Sequence, residues 1–229
     1  MSIQKPNLKV TEITKSQSER RSLIFKGILV GMIATFGLLA VFAKQNPYFG
    51  IDLSITLFVQ SIQSPIIDFY LKGLTTLGNP EWAITLIIIL FVILLSLGKS
   101  FYAVFFIFTV VSLQAFVFLI KYLVSRPRPN PELVNQISIY FHDDSFPSGH
   151  VTFYIGCFGF LAFLAFTKIK SKILKNVILA ICISLISTIG ISRIYVGAHW
   201  FSDTLGAYLI GSVWLYIMIH LFQKNRRNT

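Results

Sequence analysis

Residues 101 to 124 read FYAVFFIFTVVSLQAFVFLIKYLV, with no charged side chain before Lys121. At about 1.5 Å of rise per residue, a helix of that length crosses the roughly 30 Å hydrocarbon core of a bilayer. Lipid offers the backbone no hydrogen-bond partners, so such a run spans as a helix or not at all. The pattern recurs at residues 23 to 43, 83 to 97, 148 to 166, 176 to 191 and 201 to 222. Hydrophobic residues make up 55% of the 229 and charged ones only 13%, which excludes a soluble domain. A β-barrel would alternate apolar and polar positions, and these runs do not. The expectation is an all-α integral membrane bundle of six transmembrane helices, one domain over residues 23 to 222, between a loosely ordered polar tail, 1 to 22, and a basic tail, 223 to 229.

The connections carry the remaining information. Residues 44 to 82 are not plainly soluble: Ser54 to Leu77 mixes apolar residues with Gln60, Gln63, Pro65, Asp68 and Lys72, which suggests one or two interfacial or re-entrant helices. Gly78-Asn79-Pro80 is a turn signal, and Trp82 suits the interface belt. Pro127, Pro129 and Pro131 keep the loop from 125 to 147 from being helix. Cys157 and Cys182 lie in apolar runs, in no metal-ligand spacing, and read as small core residues. A signal peptide is not expected, because the first apolar run is long and lacks a small-residue cleavage pattern.

Net charge is +11, and its distribution favours a membrane over a nucleic acid. With both termini cytoplasmic, most of the twenty lysines and arginines fall on the inner side. The outer side keeps Lys44, Lys72, Lys121, Arg126, Arg128 and Arg193. Four of these cluster in segments that need an explanation other than topology.

Three outer segments should converge in such a bundle. The first is KYLVSRPRP, residues 121 to 129, with Lys121 and Arg128 seven apart. The second is Pro147-Ser148-Gly149-His150, where helix N–H groups, a hydroxyl and a flexible glycine make an anion site. The third is SRIYVGAHWFSD, residues 192 to 203. His199 and Asp203 are four apart, on one face if helix resumes at Ala198 or His199. A carboxylate on one imidazole nitrogen fixes the tautomer and leaves the other free to attack. A structural clasp is an equally good reading of that pair taken alone.

Together the segments resemble the three signature motifs of the type 2 phosphatidic acid phosphatase superfamily, which also includes the vanadium haloperoxidases. Lys121, Arg128 and Pro129 match K-x6-R-P; Pro147 to His150 match P-S-G-H; Ser192, Arg193, His199 and Asp203 match S-R-x5-H-x3-D. The resemblance implies a membrane-bound lipid phosphatase. In it Lys121, Arg128, Ser148, Gly149 and Arg193 bind the phosphate, His199 attacks phosphorus, Asp203 supports His199, and His150 serves the leaving oxygen. Phosphoryl transfer needs positioning and cationic stabilisation above all. No metal and no cofactor is implied. Lipid phosphates or pyrophosphates of the phosphatidic acid, phosphatidylglycerol phosphate or undecaprenyl pyrophosphate type are the expected substrates, met on the extracytoplasmic face of the plasma membrane.

Other polar residues have plainer readings. Arg126 is expected as a surface or headgroup-contacting charge, and Trp200 and His220 as interface residues. His142, Asp143 and Asp144 read as a solvated loop near the pocket mouth. A haloperoxidase would be soluble, which the hydropathy opposes. An anion transporter would carry polar residues through the depth of several spans, whereas these are apolar below the outer face.

Overall fold

A computed structural model describes residues 8–62, 64–137 and 144–227. Among these every regular element is a helix: α1 (Leu8–Gln45), α2 (Gly50–Ser61), α3 (Pro65–Leu77), α4 (Pro80–Ser96), α5 (Ser100–Val124), α6 (Gly149–Lys168), α7 (Lys172–Tyr195) and α8 (Phe201–Arg227). Five are long and apolar enough to cross a membrane alone: the Glu19–Gln45 part of α1, α5, α6, α7 and the Phe201–Arg226 part of α8. The sixth span is reached only if α3 and α4, bent by 70° at their junction, count together. The proline at the start of α4 sets that break, since Pro is welcome at N1 but cannot continue a preceding helix.

Two boundaries differ from expectation. Helix α1 starts at Leu8 rather than 23, and α8 runs to Arg227, so neither tail is a separate irregular segment over those residues. Good helix formers in both stretches let a spanning helix grow past the hydrophobic core. The connection between α1 and α4 holds two helices, as its mixed composition suggests.

Helix α6 is the axle, packed on α5, α7 and α8. On α5 the buried positions are Ala103, Phe106, Thr109, Val110, Leu113, Val117, Ile120, Lys121 and Val124, while Val104, Val111, Phe118 and Tyr122 face outward. Steps of three and four residues mark one helical stripe, here turned to protein while its complement is left to lipid. Lipid is as apolar as leucine, so close approach rather than hydrophobicity holds such helices together. Gly156 of α6 accordingly sits against Leu113 and Val110, and Gly159 against Leu215. At the end of the bundle away from the motif segments, Phe222 packs on Phe101, Tyr102, Phe105, Phe160 and Phe163. Cys157 and Cys182 are buried free thiols.

Candidate active site

At the other end, α7 stops in a glycine turn. Gly197 has φ +67°, the Ala198 N–H donates to the Arg193 carbonyl at 3.1 Å, and the Gly197 N–H to Ile194 at 3.0 Å. This is a left-handed helix stop with both of its return bonds made. Helix does not resume at Ala198 or His199 but at Phe201. His199 therefore stands on a short bridge, 1% exposed, between two helix ends.

Asp203, in the first turn of α8, reaches back: its Oδ2 accepts from the Trp200 N–H at 2.8 Å, half of a capping box. The same oxygen lies 3.6 Å from His199 Nδ1, an ion-pair distance rather than a hydrogen bond. Ser145 closes the gap, donating to Asp203 Oδ2 at 2.5 Å with its Oγ 3.4 Å from His199 Nδ1. On the far side of the ring, Arg128 Nη1 lies 3.2 Å from Nε2 and donates to the Ala198 carbonyl at 2.7 Å. A guanidinium can only donate, which places a lone pair on Nε2 and the ring hydrogen on Nδ1.

His150 opens α6, and its ring is held from outside the motifs. Its Nε2 lies 3.2 Å from the Thr75 carbonyl and 3.2 Å from Asn79 Oδ1. Both partners accept, so Nε2 carries the hydrogen. Gly78 lies against the ring so closely that a Cβ there would collide with it. Thr75 also bonds Ser192 Oγ at 2.7 Å and receives Arg193 Nη1 at 3.3 Å, and Ser192 donates to the Leu71 carbonyl at 2.5 Å. Helix α3 is thereby tied to the end of α7.

Six of the eight singled-out residues line one cavity of about 620 Å³: Lys121, Arg128, Gly149, His150, Arg193 and His199. Its remaining wall includes Gln114, Asn79, Glu81 and the apolar Ala83, Ile84, Ile87 and Phe153. Lys121 is mostly buried and donates to the Asp144 carbonyl. Ser148 and Asp203 are fully buried and do not line the cavity; the Ser148 Oγ has no hydrogen-bond partner among the described residues. Concentrated positive charge beside two imidazoles suits a phosphate group, which accepts several charge-assisted hydrogen bonds at once. Among the described residues no three His, Cys, Asp or Glu side chains gather as a metal site.

Residues 102–227 match the family model of the PAP2 superfamily, the phosphatase family whose signature motifs these segments resemble. The chain belongs to that superfamily. Phosphatidylglycerophosphatase B of Bacillus subtilis is 25% identical over 203 residues, covering 86% of this chain and 96% of the relative. The fold is similar to the crystal structure of a transmembrane PAP2-type phosphatidylglycerolphosphate phosphatase from Bacillus subtilis, with a TM-score of 0.74 and 22% identity over 86% of this chain and 96% of that one. It is also similar to Aquifex aeolicus LpxE, with a TM-score of 0.57 and 23% identity over 75% of this chain and 96% of the other.

Several placements correct the sequence reading. Arg126 is not a surface charge; it is fully buried and paired with Asp52 and Asp203. Trp200 is 1% exposed, with its ring tilted against that of Tyr48 at 5.2 Å, a core residue and not an interface anchor. His220 is exposed beside Tyr216, as expected of an end-of-span residue. His142 and Asp143 lie outside the described residues. Thr75, Asn79, Ser145 and Asp52 carry no motif signal; only the turn at Gly78-Asn79 was visible, without its role against His150.

Proposed function

We propose that this PAP2 phosphatase hydrolyses a lipid phosphate or pyrophosphate through a phosphohistidine on His199. The observation that carries this is the single cavity in which cations and both histidines face a wall of Ile84, Ile87 and Phe153. The polar half suits a phosphate and the apolar half suits the first carbons of a lipid tail. In the first step the His199 Nε2 lone pair attacks phosphorus as the bond to the leaving oxygen breaks, and His150, entering as the imidazolium with its Nε2–H held by Thr75 and Asn79, gives that oxygen its Nδ1 proton. In the second, water attacks phosphorus, His150 takes the water proton, and the P–N bond breaks to release phosphate. Arg128, Arg193, Lys121 and the Gly149 N–H stabilise the equatorial oxygens. A phosphate oxygen competes for the Arg128 N–H now directed at Nε2, so substrate binding itself frees the nucleophile's lone pair. Asp203, through Ser145, holds the ring hydrogen on Nδ1.

Phosphatidylglycerol phosphate leads among substrates, supported by the names of the Bacillus relative and of its structural counterpart. Residues 23 to 222 form the catalytic domain in this reading. The cavity opens on the extracytoplasmic face of the plasma membrane, with both termini inside; the lysine and arginine distribution supports that orientation.

Purified in detergent with EDTA present, the protein is expected to release phosphate from phosphatidylglycerol phosphate faster than from phosphatidic acid or undecaprenyl pyrophosphate. His199→Ala is expected to abolish release, and rapid quenching with a labelled substrate should trap acid-labile, base-stable phosphate on the wild-type chain. Turnover surviving in His199→Ala overturns the assignment of the nucleophile.

A further inference from the structure

Two residues before Arg128 stands a second arginine that the phosphate cradle does not use. Arg126 is fully buried, and a buried guanidinium must be paired and hydrogen-bonded. It meets two carboxylates, themselves fully buried: Nη1 donates to Asp203 Oδ1 at 2.5 Å, and Nη2 to Asp52 Oδ2 at 3.0 Å. Nη1 also donates to Ser202 Oγ at 2.8 Å, Nε to the Asn46 carbonyl at 3.3 Å, and the guanidinium carbon lies 5.0 Å from the centre of the Phe49 ring.

Asp52 grips the same turn of α8 from the other side. Its Oδ1 accepts from the Ser202 N–H at 2.8 Å; its Oδ2 accepts from Ser202 Oγ at 2.8 Å and from the Phe49 N–H at 3.0 Å. Ser202 and Asp203 are consecutive, so this ion pair fixes the backbone and the carboxylate that face His199. Helix α2 lies outside the residues matched to the family model.

We infer that Asp52 and Arg126 are positioning residues for the His199–Asp203 pair, anchoring it to α2 and balancing its charge. The inference rests on His199 as nucleophile. A purely structural ion pair would end on itself, whereas this chain of charges ends on the oxygen pair presented to the reacting imidazole. The charged and titratable groups around His199 are Asp203 from α8, Arg126 and Arg128 from the α5–α6 connection, Lys121 from α5, His150 from α6, Arg193 from α7 and, across the cavity, Glu81 from α4. Asp52 acts on that set through Arg126.

Charge then dictates opposite signatures. Removing Arg126 leaves Asp203 unbalanced beside His199, which favours the imidazolium and moves the acid limb of kcat/KM to higher pH. Removing the Asp52 charge frees Arg126 to bear on Asp203 alone, which disfavours the imidazolium and moves that limb to lower pH.

The test uses the full chain in detergent, with short-chain phosphatidic acid as the probe and the melting temperature recorded for every variant. Arg126→Gln is expected to lower kcat about 100-fold and Asp52→Asn about 10-fold, with KM within about twofold, because small misplacements of reacting groups cost rate more than binding. Arg126→Lys keeps the charge but cannot span both carboxylates, so it should lose kcat without moving the acid limb. Where a single variant does not yield folded protein, the doubly neutral Asp52→Asn/Arg126→Gln variant carries the test, and wild-type kcat in it overturns the inference. Folded variants with unchanged kcat and an unmoved acid limb overturn it as well. His199→Ala is run alongside: activity surviving there overturns the nucleophile reading, whereas activity lost there but intact in the folded network variants overturns only the positioning role.

Discussion

At the scale of single residues, the His150 side of the cavity is built by close contact. Gly78 has φ −87°, so its backbone suits any residue, yet a Cβ would strike the His150 ring. Gly78→Ala should therefore fold but turn His150 away from Thr75 and Asn79. The expected result is a loss of kcat of roughly 10-fold to 100-fold, the range of a general acid–base contribution, with a melting temperature near wild type. Wild-type turnover in Gly78→Ala would show that His150 can move without consequence. Arg126 differs, because removing one partner of a buried ion pair costs about 3–5 kcal/mol, and its variants must be judged against stability. The cationic motif positions were legible in the sequence because their spacing is fixed within short segments. Arg126 with Asp52 was not, since the partners are 74 residues apart and nothing local distinguishes an arginine that snorkels from one that is buried.

At the scale of elements, one turn sets the geometry around His199, the proposed nucleophile. The stop at the end of α7 needs φ +67° at Gly197, and a Cβ there would also press on the Asn135 carbonyl. An L-residue held in that region costs on the order of 1–3 kcal/mol. Gly197→Ala should therefore lower the melting temperature by roughly 5–10 °C and reduce kcat more than KM, because His199 and the start of α8 follow directly from the turn. An unchanged melting temperature would mean the turn tolerates a side chain. Hydropathy and length made the long helices legible, and the spacing of His199 and Asp203 made their pairing legible. Their contact was not: it comes from a helix start that reaches back and from Ser145, supplied by a loop whose contacts no periodicity describes. The α3–α4 bend was visible as Gly-Asn-Pro, but its service to His150 depends on how two distant helices meet.

At the scale of the whole molecule, orientation in the bilayer decides which leaflet supplies substrate. The motif segments and the Phe222 cluster lie at opposite ends of the spanning helices, and α5 and α6 connect them. Cys157 and Cys182 are buried, so the native chain offers little background to a thiol reagent, and single cysteines can report on each end. Glu132 is exposed in the α5–α6 connection at the cavity end, and Lys172 is exposed at the start of α7 at the other. In intact cells a membrane-impermeant maleimide is expected to label Glu132→Cys at once and Lys172→Cys only after the membrane is opened. Both substitutions fall on solvated positions away from the cavity, so phosphate release should stay within about twofold of wild type, as for surface changes generally. The reverse labelling order would put the cavity on the cytoplasmic leaflet; the chemistry assigned to His199 would stand, but the lysine and arginine distribution would then have misreported the sidedness.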